Sequence, residues 1–316
     1  MVHSLFFKLS LGMHLKKHSY FKDRQKAVTW FEQWVSQLEQ LNHKRYDRIE
    51  LQTSLGTTHI WAINTQDTQA ETIIIFPGAR TSSLFWDFNN NLHLFGKNYR
   101  LFLIETNGLP NLSDGDTPDI RSADYGQWAL EILDQLQVEK VYLAGASFGG
   151  LICLKLCQIA PERIKATFLL NPGCLQPFSL AAKNLYYNLL PILWPSKRNV
   201  LKFLDKAVLC PPTHDLSPAY KELLVTYELY AITQYTDNTQ KPYSMKGELG
   251  AIKTAIFLLV GDNDLLFPYN QSIANAQGEL ASLREVIVFT QVGHGIETYR
   301  EALQVIKDRI EQFVGA

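Results

Sequence analysis

The pattern of apolar and polar positions changes period near residue 47. Before that point Val28, Phe31, Val35, Leu38 and Leu41 recur at spacings of three and four, and Trp30 and Trp34 widen the stripe. This spacing predicts an amphipathic helix from about 24 to 41. Beyond it, RIELQTS and TTHIWAIN are short β-rich runs on either side of Gly56, which predicts a hairpin. TIIIF (72–76) is apolar without alternation, as a strand buried on both faces must be.

Strands and helices then alternate. A helical stretch near 84–95 precedes LFLI (101–104), a helix at about 122–136 precedes VYLA (141–144), and a helix at 148–159 precedes TFLL (167–170). Further on come TAIFLLV (254–260), a helix near 269–281, EVIVF (285–289) and a final helix from Glu297 to about Val314. Such alternation predicts an α/β fold: a mostly parallel sheet with helices on both faces. Residues 173–250 break the rhythm. LYYNLLPILWP, CPPTHDLSP and LLVTYELYAI predict several helices and no strand, inserted over the strand tips. The expected organisation is an N-terminal helical segment, 1–46, and an α/β domain, 47–316, carrying a helical cap at 173–250.

Composition adds exclusions. The net charge of -1 gives no reason to expect a nucleic-acid partner. The four cysteines, Cys153, Cys157, Cys174 and Cys210, form no CxxC pair and have no zinc-type spacing to histidine. Buried free thiols are expected, which suits a reducing, cytoplasmic setting. The first 26 residues hold six Lys/Arg against one acid, so a weak contact with a membrane surface is an expectation there. Their apolar stretch is short and broken by Lys8, and neither a secretory signal nor a membrane span is expected.

Candidate chemistry centres on VYLAGASFGGL. G145-A-S147-F-G149 has the G-x-S-x-G spacing of a nucleophile elbow, between a β-run and a helix-like run. The bend forces the serine backbone into strain, so the positions two before and two after must be small. It projects the hydroxyl and leaves the Phe148 N–H at a helix N-terminus, where a developing oxyanion can be held.

A serine needs a base, and the base needs an orienting group. Of eight histidines only His294, in QVGHGIE, follows a strand directly and precedes a helix, at the sheet edge from which Ser147 emerges. LLVGDNDLLFP offers Asp262 and Asp264 on the same edge; one serves as the acid and the other holds a turn. After TIIIF, the Pro77–Gly78 turn leaves the Ala79 N–H free to face Ser147 as a second oxyanion donor. The neighbouring Arg80 is either an anchor for an anionic substrate group or a structural arginine.

With FPGAR, AGASFGG, GDNDLLFP and VGHG in place, the chain resembles the α/β-hydrolase superfamily, and within it the bacterial serine carboxylesterases, over about residues 48–316. The resemblance implies the α/β-hydrolase fold with a helical cap and a Ser147–Asp264–His294 triad, since the family's acid stands three residues after the loop glycine. It implies cleavage of carboxylic esters of small to medium apolar acyl groups through an acyl-enzyme, with no metal or organic cofactor. Acyl transfer and thioester, lactone or carbon–carbon cleavage use the same triad, and a non-catalytic binding protein on this scaffold is the reading from another class.

Overall fold

The computed structural model describes residues 17–239 and 242–314. Eight strands form one sheet: β1 (Asp47–Thr53), β2 (Gly56–Ile63), β3 (Glu71–Phe76), β4 (Tyr99–Ile104), β5 (Val141–Ala146), β6 (Ile164–Leu170), β7 (Ile256–Gly261) and β8 (Leu283–Phe289). Their spatial order is β8-β7-β6-β5-β3-β4-β2-β1. From β8 to β4 all pairs are parallel, while β2 runs antiparallel to both β4 and β1.

The unbroken apolar runs follow from two-sided burial. In β3, Ile73 and Ile75 face one core, and Ile74 and Phe76 face the other. Leu101 and Leu103 against Phe102 and Ile104 repeat this in β4, as side chains alternate across a strand. One core is covered by α2 (Asp124–Gln135), α3 (Phe148–Ile159) and α7 (Tyr269–Glu279); the other holds α1 (Arg24–Asn42) and α8 (Arg300–Val314). The connection after β3 turns towards β4, while that after β5 turns the other way, towards β6. This reversal opens a crevice beyond the carboxyl ends of β3 and β5.

Between β6 and β7 lie α4 (Ala182–Leu193), α5 (Lys197–Phe203), a wide turn (Leu204–Val208) and α6 (Pro218–Gln234). The stretch from Ser83 to Asn98 is made of 3-10 turns broken at Phe88, Asn89, Asn90 and Gly96, where the sequence pattern predicts one helix. Asn89 and Asn90 take left-handed backbone, which asparagine tolerates and a regular helix does not. The cap region also holds a short strand the pattern did not predict, Tyr235–Thr236, paired with Tyr20–Phe21. Its partner lies more than 200 residues away, so no local signal marks it.

The N-terminal helix buttresses the cap. Trp30 stacks on Tyr230 of α6 with ring centroids 3.9 Å apart, and Trp34 Nε1 donates to the Leu223 carbonyl at 3.0 Å. Beneath them the fully buried Asp87 accepts from Tyr46 Oη (2.5 Å) and Asn42 Nδ2 (2.9 Å) and pairs with Lys44 (2.7 Å). Burial pushes the Asp87 carboxyl upward while Lys44 opposes that shift. Asn42 in turn accepts from Tyr220 of α6 at 2.7 Å, joining α1, the 3-10 stretch and the cap in one network. Residues 1–16, which carry part of the basic N-terminal segment together with His3 and His14, lie outside the described residues.

Candidate active site

Ser147 sits between β5 and α3 with φ 48° and ψ −108°, a backbone conformation that L-residues adopt only under constraint. The constraint is the crossing of strand and helix. A Cβ on Gly145 would stand 2.5 Å from the Gly149 carbonyl, and one on Gly149 would stand 2.3 Å from the Phe76 oxygen. Only glycine fits both places. The Ser147 N–H donates to the Leu170 carbonyl at 2.9 Å, and its own carbonyl accepts from Gly150 and Gly173, each at 3.1 Å. The bend is therefore pinned from three sides.

His294 and Asp264 come together from loops 30 residues apart. His294 Nδ1 lies 2.8 Å from Asp264 Oδ2, while the other carboxylate oxygen accepts the N–H groups of Leu266 (2.8 Å) and Phe267 (3.0 Å). Asp264 is buried and its contacts fix one orientation. Asp262 points elsewhere and accepts the Gln291 N–H at 2.7 Å, closing the turn. Burial by itself would lower the His294 pKa, but the Asp264 charge, its hydrogen bond and the Glu297 charge outweigh it, and the net shift is upward.

Of the other described histidines, His18 bonds Asp116, His59 lies 3.6 Å from Glu50, and His214 bonds Thr298. The cysteines are free, with Cys153, Cys157 and Cys174 buried and Cys210 half-buried. Among the described residues no group of three or more His, Cys, Asp or Glu is placed to hold a metal ion.

The Pro77–Gly78 turn lies against the elbow: a Cβ on Gly78 would be 3.4 Å from Ser147 Cβ. Thr81 Oγ1 closes the turn on the Gly78 carbonyl at 2.8 Å, and Ala79 is exposed. Phe148 is the first residue of α3, where helix geometry leaves its N–H without an intrahelical partner. Arg80 takes a left-handed backbone (φ 60°) and its Nε pairs with Asp237 at 3.1 Å, so its charge is met by the end of the cap.

Three further groups frame the site without an obvious motif. Asn171, directly after β6, donates from Nδ2 to the carbonyls of Gly293 (2.9 Å) and His294 (3.0 Å) and accepts the Gly261 N–H at 2.9 Å. Glu105, after β4, is fully buried and holds Ser82 Oγ (2.5 Å), Ser83 N–H (3.3 Å) and Trp61 Nε1 (2.8 Å). Burial pushes its carboxyl up to about 7, against those hydrogen bonds. Glu297, three residues past His294, is also buried and shifted upward for that reason. The one available sequence signal is a polar residue ending an apolar strand, as in TFLLNPG and LFLIETNG.

A family described as the alpha/beta hydrolase fold matches residues 71–197. The uncharacterized carboxylesterase nap of Bacillus subtilis (strain 168) is 23% identical over 280 residues, 84% of this chain and 86% of that protein. The carboxylesterase YbfK of the same organism is 29% identical over 121 residues, 38% of this chain and 40% of that one. Among solved structures, a naproxen esterase from Bacillus subtilis superposes with a TM-score of 0.72 at 22% identity, covering 91% of this chain and 98% of its own. The protein has the α/β-hydrolase fold. Within that fold its similarities are to bacterial carboxylesterases.

Proposed function

We propose that the protein hydrolyses carboxylic esters through Ser147, His294 and Asp264. The observation that carries this reading is the buried 2.8 Å pair of Asp264 and His294, on the sheet edge that also holds a strained elbow serine. With Nδ1 engaged by Asp264, Nε2 is left to take the nucleophile's proton.

Ser147 Oγ attacks the ester carbonyl while His294 takes its proton, and the oxyanion is held by the N–H groups of Ala79 and Phe148. Collapse expels the alcohol, which takes the proton back from His294, and leaves an acyl-serine. Water attacks next, His294 removes its proton, and the same donors hold the second oxyanion. The acid then departs and Ser147 is restored.

Small to medium uncharged acyl groups fit the surroundings best. A side chain at Gly173 would meet Ser147 Oγ at 3.4 Å and the Phe267 ring at 3.0 Å. Phe267 also lies 5.6 Å from the His294 ring and packs edge-on against Phe178. The acyl side is therefore close and aromatic. The buried carboxyl of Glu297 disfavours a carboxylate-bearing substrate, and Arg80, already paired, offers it little compensation. A panel of chromogenic esters of rising acyl length, with one carrying a terminal carboxylate, tests the reading. Turnover should be greatest for short to medium neutral acyl chains. Turnover of the carboxylate ester alone would overturn it and return Arg80 to the specificity role.

A further inference from the structure

Seven of the ten large apolar side chains that are exposed among the described residues lie between Leu180 and Leu201, in or beside the first two cap helices. The sequence pattern places LYYNLLPILWP in a helical cap over the strand tips, yet much of that run faces outward. Tyr186, Leu189 and Leu193 form one stripe along α4 at helical spacing, with Ile192 and Trp194 beside it and Leu201 on α5. Trp194 is 65% exposed and Leu193 58%.

The inner side of α4 has the opposite character. Asn184 is 1% exposed and donates to the Ser179 carbonyl at 2.7 Å, and Asn188 donates back to Asn184 Oδ1 at 2.6 Å. A surface helix normally buries its apolar face and presents its polar one. Here Asn184 is buried along with Pro191 while Leu189 and Leu193 are exposed and Leu185 and Leu190 only partly covered, so folding of the chain alone does not account for the pattern. A contiguous apolar patch of this kind marks an interaction surface.

Charge indicates the partner. Between residues 180 and 206 the sequence has five Lys/Arg and one acid, in a chain whose net charge is -1. Lys183, Arg198, Lys202 and Lys206 are exposed, and among the described residues none of the four forms an ion pair. Lys202 instead lies over the Tyr186 ring at 4.9 Å and donates to its hydroxyl at 2.8 Å. Lys197 pairs with Glu222, and the one acid, Asp205, is held by Lys221.

We infer that the outer face of α4 and α5 docks the protein on an anionic lipid surface. Leucines with a tryptophan and a tyrosine, bordered by lysine and arginine, match the acyl boundary and the headgroup layer of such a surface. A second copy seated through the same face by a two-fold axis would bring the basic borders together, so charge favours lipid over self-association. No helix among the described residues is long and apolar enough to cross a membrane, so the contact is peripheral. The same cap segment reaches the active site: the carbonyls of Ala207, Val208 and Leu209 accept the N–H groups of His294, Gly295 and Gly293 at 2.9–3.2 Å. Docking would therefore hold the histidine loop beside the lipid phase.

The test uses the full chain with vesicles of phosphatidylcholine alone and of phosphatidylcholine with phosphatidylglycerol. Wild type should co-sediment with the anionic vesicles, and brominated acyl chains should quench Trp194 fluorescence, a signal lost in Trp194→Phe. A variant combining Leu189→Ser, Leu193→Ser and Trp194→Ser should lose more than about a hundredfold in partition, because three large apolar side chains no longer enter the boundary. Arg198→Glu with Lys202→Glu should lose at least about fivefold per residue on the anionic vesicles only. All variants should keep wild-type turnover of a soluble ester, which shows that they are folded. Three results would overturn the inference. One is wild type that binds neither vesicle, and another is a triple-serine variant that binds as well as wild type, placing the contact elsewhere. The third is a dimer that the triple-serine variant dissociates, with wild type binding no vesicle.

Discussion

Asn171 holds His294 by its backbone: the Asn171 side-chain amide donates to the His294 carbonyl at 3.0 Å. The same amide reaches Gly293, and its oxygen takes the N–H of Gly261 at the end of β7. Leu170, one residue earlier, accepts the N–H of Ser147. Two consecutive residues at the tip of β6 thus tie the serine elbow to the histidine loop and to the strand that leads to the acid.

Asn171→Ala removes three hydrogen bonds from buried groups and leaves their partners unpaired. Each such loss costs about 1–3 kcal/mol, partly relieved by relaxation. We expect a lower urea midpoint and a fall in kcat of roughly 10–100-fold with little change in KM, as misplacement of a base affects the chemical step most. Asn171 is a positioning residue, and a rise in KM with kcat unchanged would assign it to substrate binding instead.

A fluorophosphonate probe should label the protein once, at Ser147. An elbow serine paired with a histidine is acylated because its oxygen is activated and the oxyanion donors hold the charged adduct. Labelling should vanish in Ser147→Ala and fall steeply in His294→Ala, as read by intact-mass spectrometry. A folded wild-type chain that stays unlabelled from pH 6 to 9 would favour a binding protein on this scaffold.

Asp264→Asn and Asp262→Asn should separate the two aspartates. Loss of the charge on the His294 side should lower turnover by about 10⁴, as loss of the orienting carboxylate does in serine proteases. Asp262→Asn weakens only a turn and should cost far less. The pH profile gives a second readout. The net upward shift of His294 places the acidic limb of kcat/KM above the ordinary imidazole value near 6.5, because the base must be neutral to act. Asp264→Asn removes the largest upward influence, so its residual limb should move to lower pH.

His214 sets a stability limit on the acid side. It is fully buried, its Nε2 bonds Thr298 at 2.9 Å, and burial lowers its pKa to about 4. Above pH 6.5 the ring is neutral in both folded and unfolded chains and carries no linkage. As pH falls from 6.5 to about 4 the unfolded chain binds a proton that the folded chain refuses, and stability drops by something on the order of 3 kcal/mol. Urea unfolding of wild type and His214→Gln across that range isolates the effect. A constant difference between the two proteins would mean that His214 does not titrate on unfolding.

Much of this was legible in the linear sequence, and the reasons are local. The apolar runs of β3 to β7 announce strands buried on both faces, and the strand–helix alternation restricts them to a mostly parallel sheet. Gly145 and Gly149 are demanded by atoms within the same bend or on the adjoining strand, so the G-x-S-x-G spacing alone places Ser147. His294 and the Asp262/Asp264 pair were visible because each follows a strand directly. Choosing between the two aspartates from spacing needed the resemblance; in the fold it follows from which carboxylate reaches His294 Nδ1.

Tertiary structure decided whatever depends on contacts between distant segments. Asn171, Glu105 and Glu297 look like ordinary polar residues until the loops around them are assembled. The Tyr20–Phe21 and Tyr235–Thr236 ladder pairs short segments that neither sequence marks as strands. The cap shows the physical reason most clearly. LYYNLLPILWP specifies a helix with apolar residues, but hydrophobicity has no direction along a chain. Only the packing of α4, with Asn184 buried, determines that Leu189, Leu193 and Trp194 meet the surroundings and not the core.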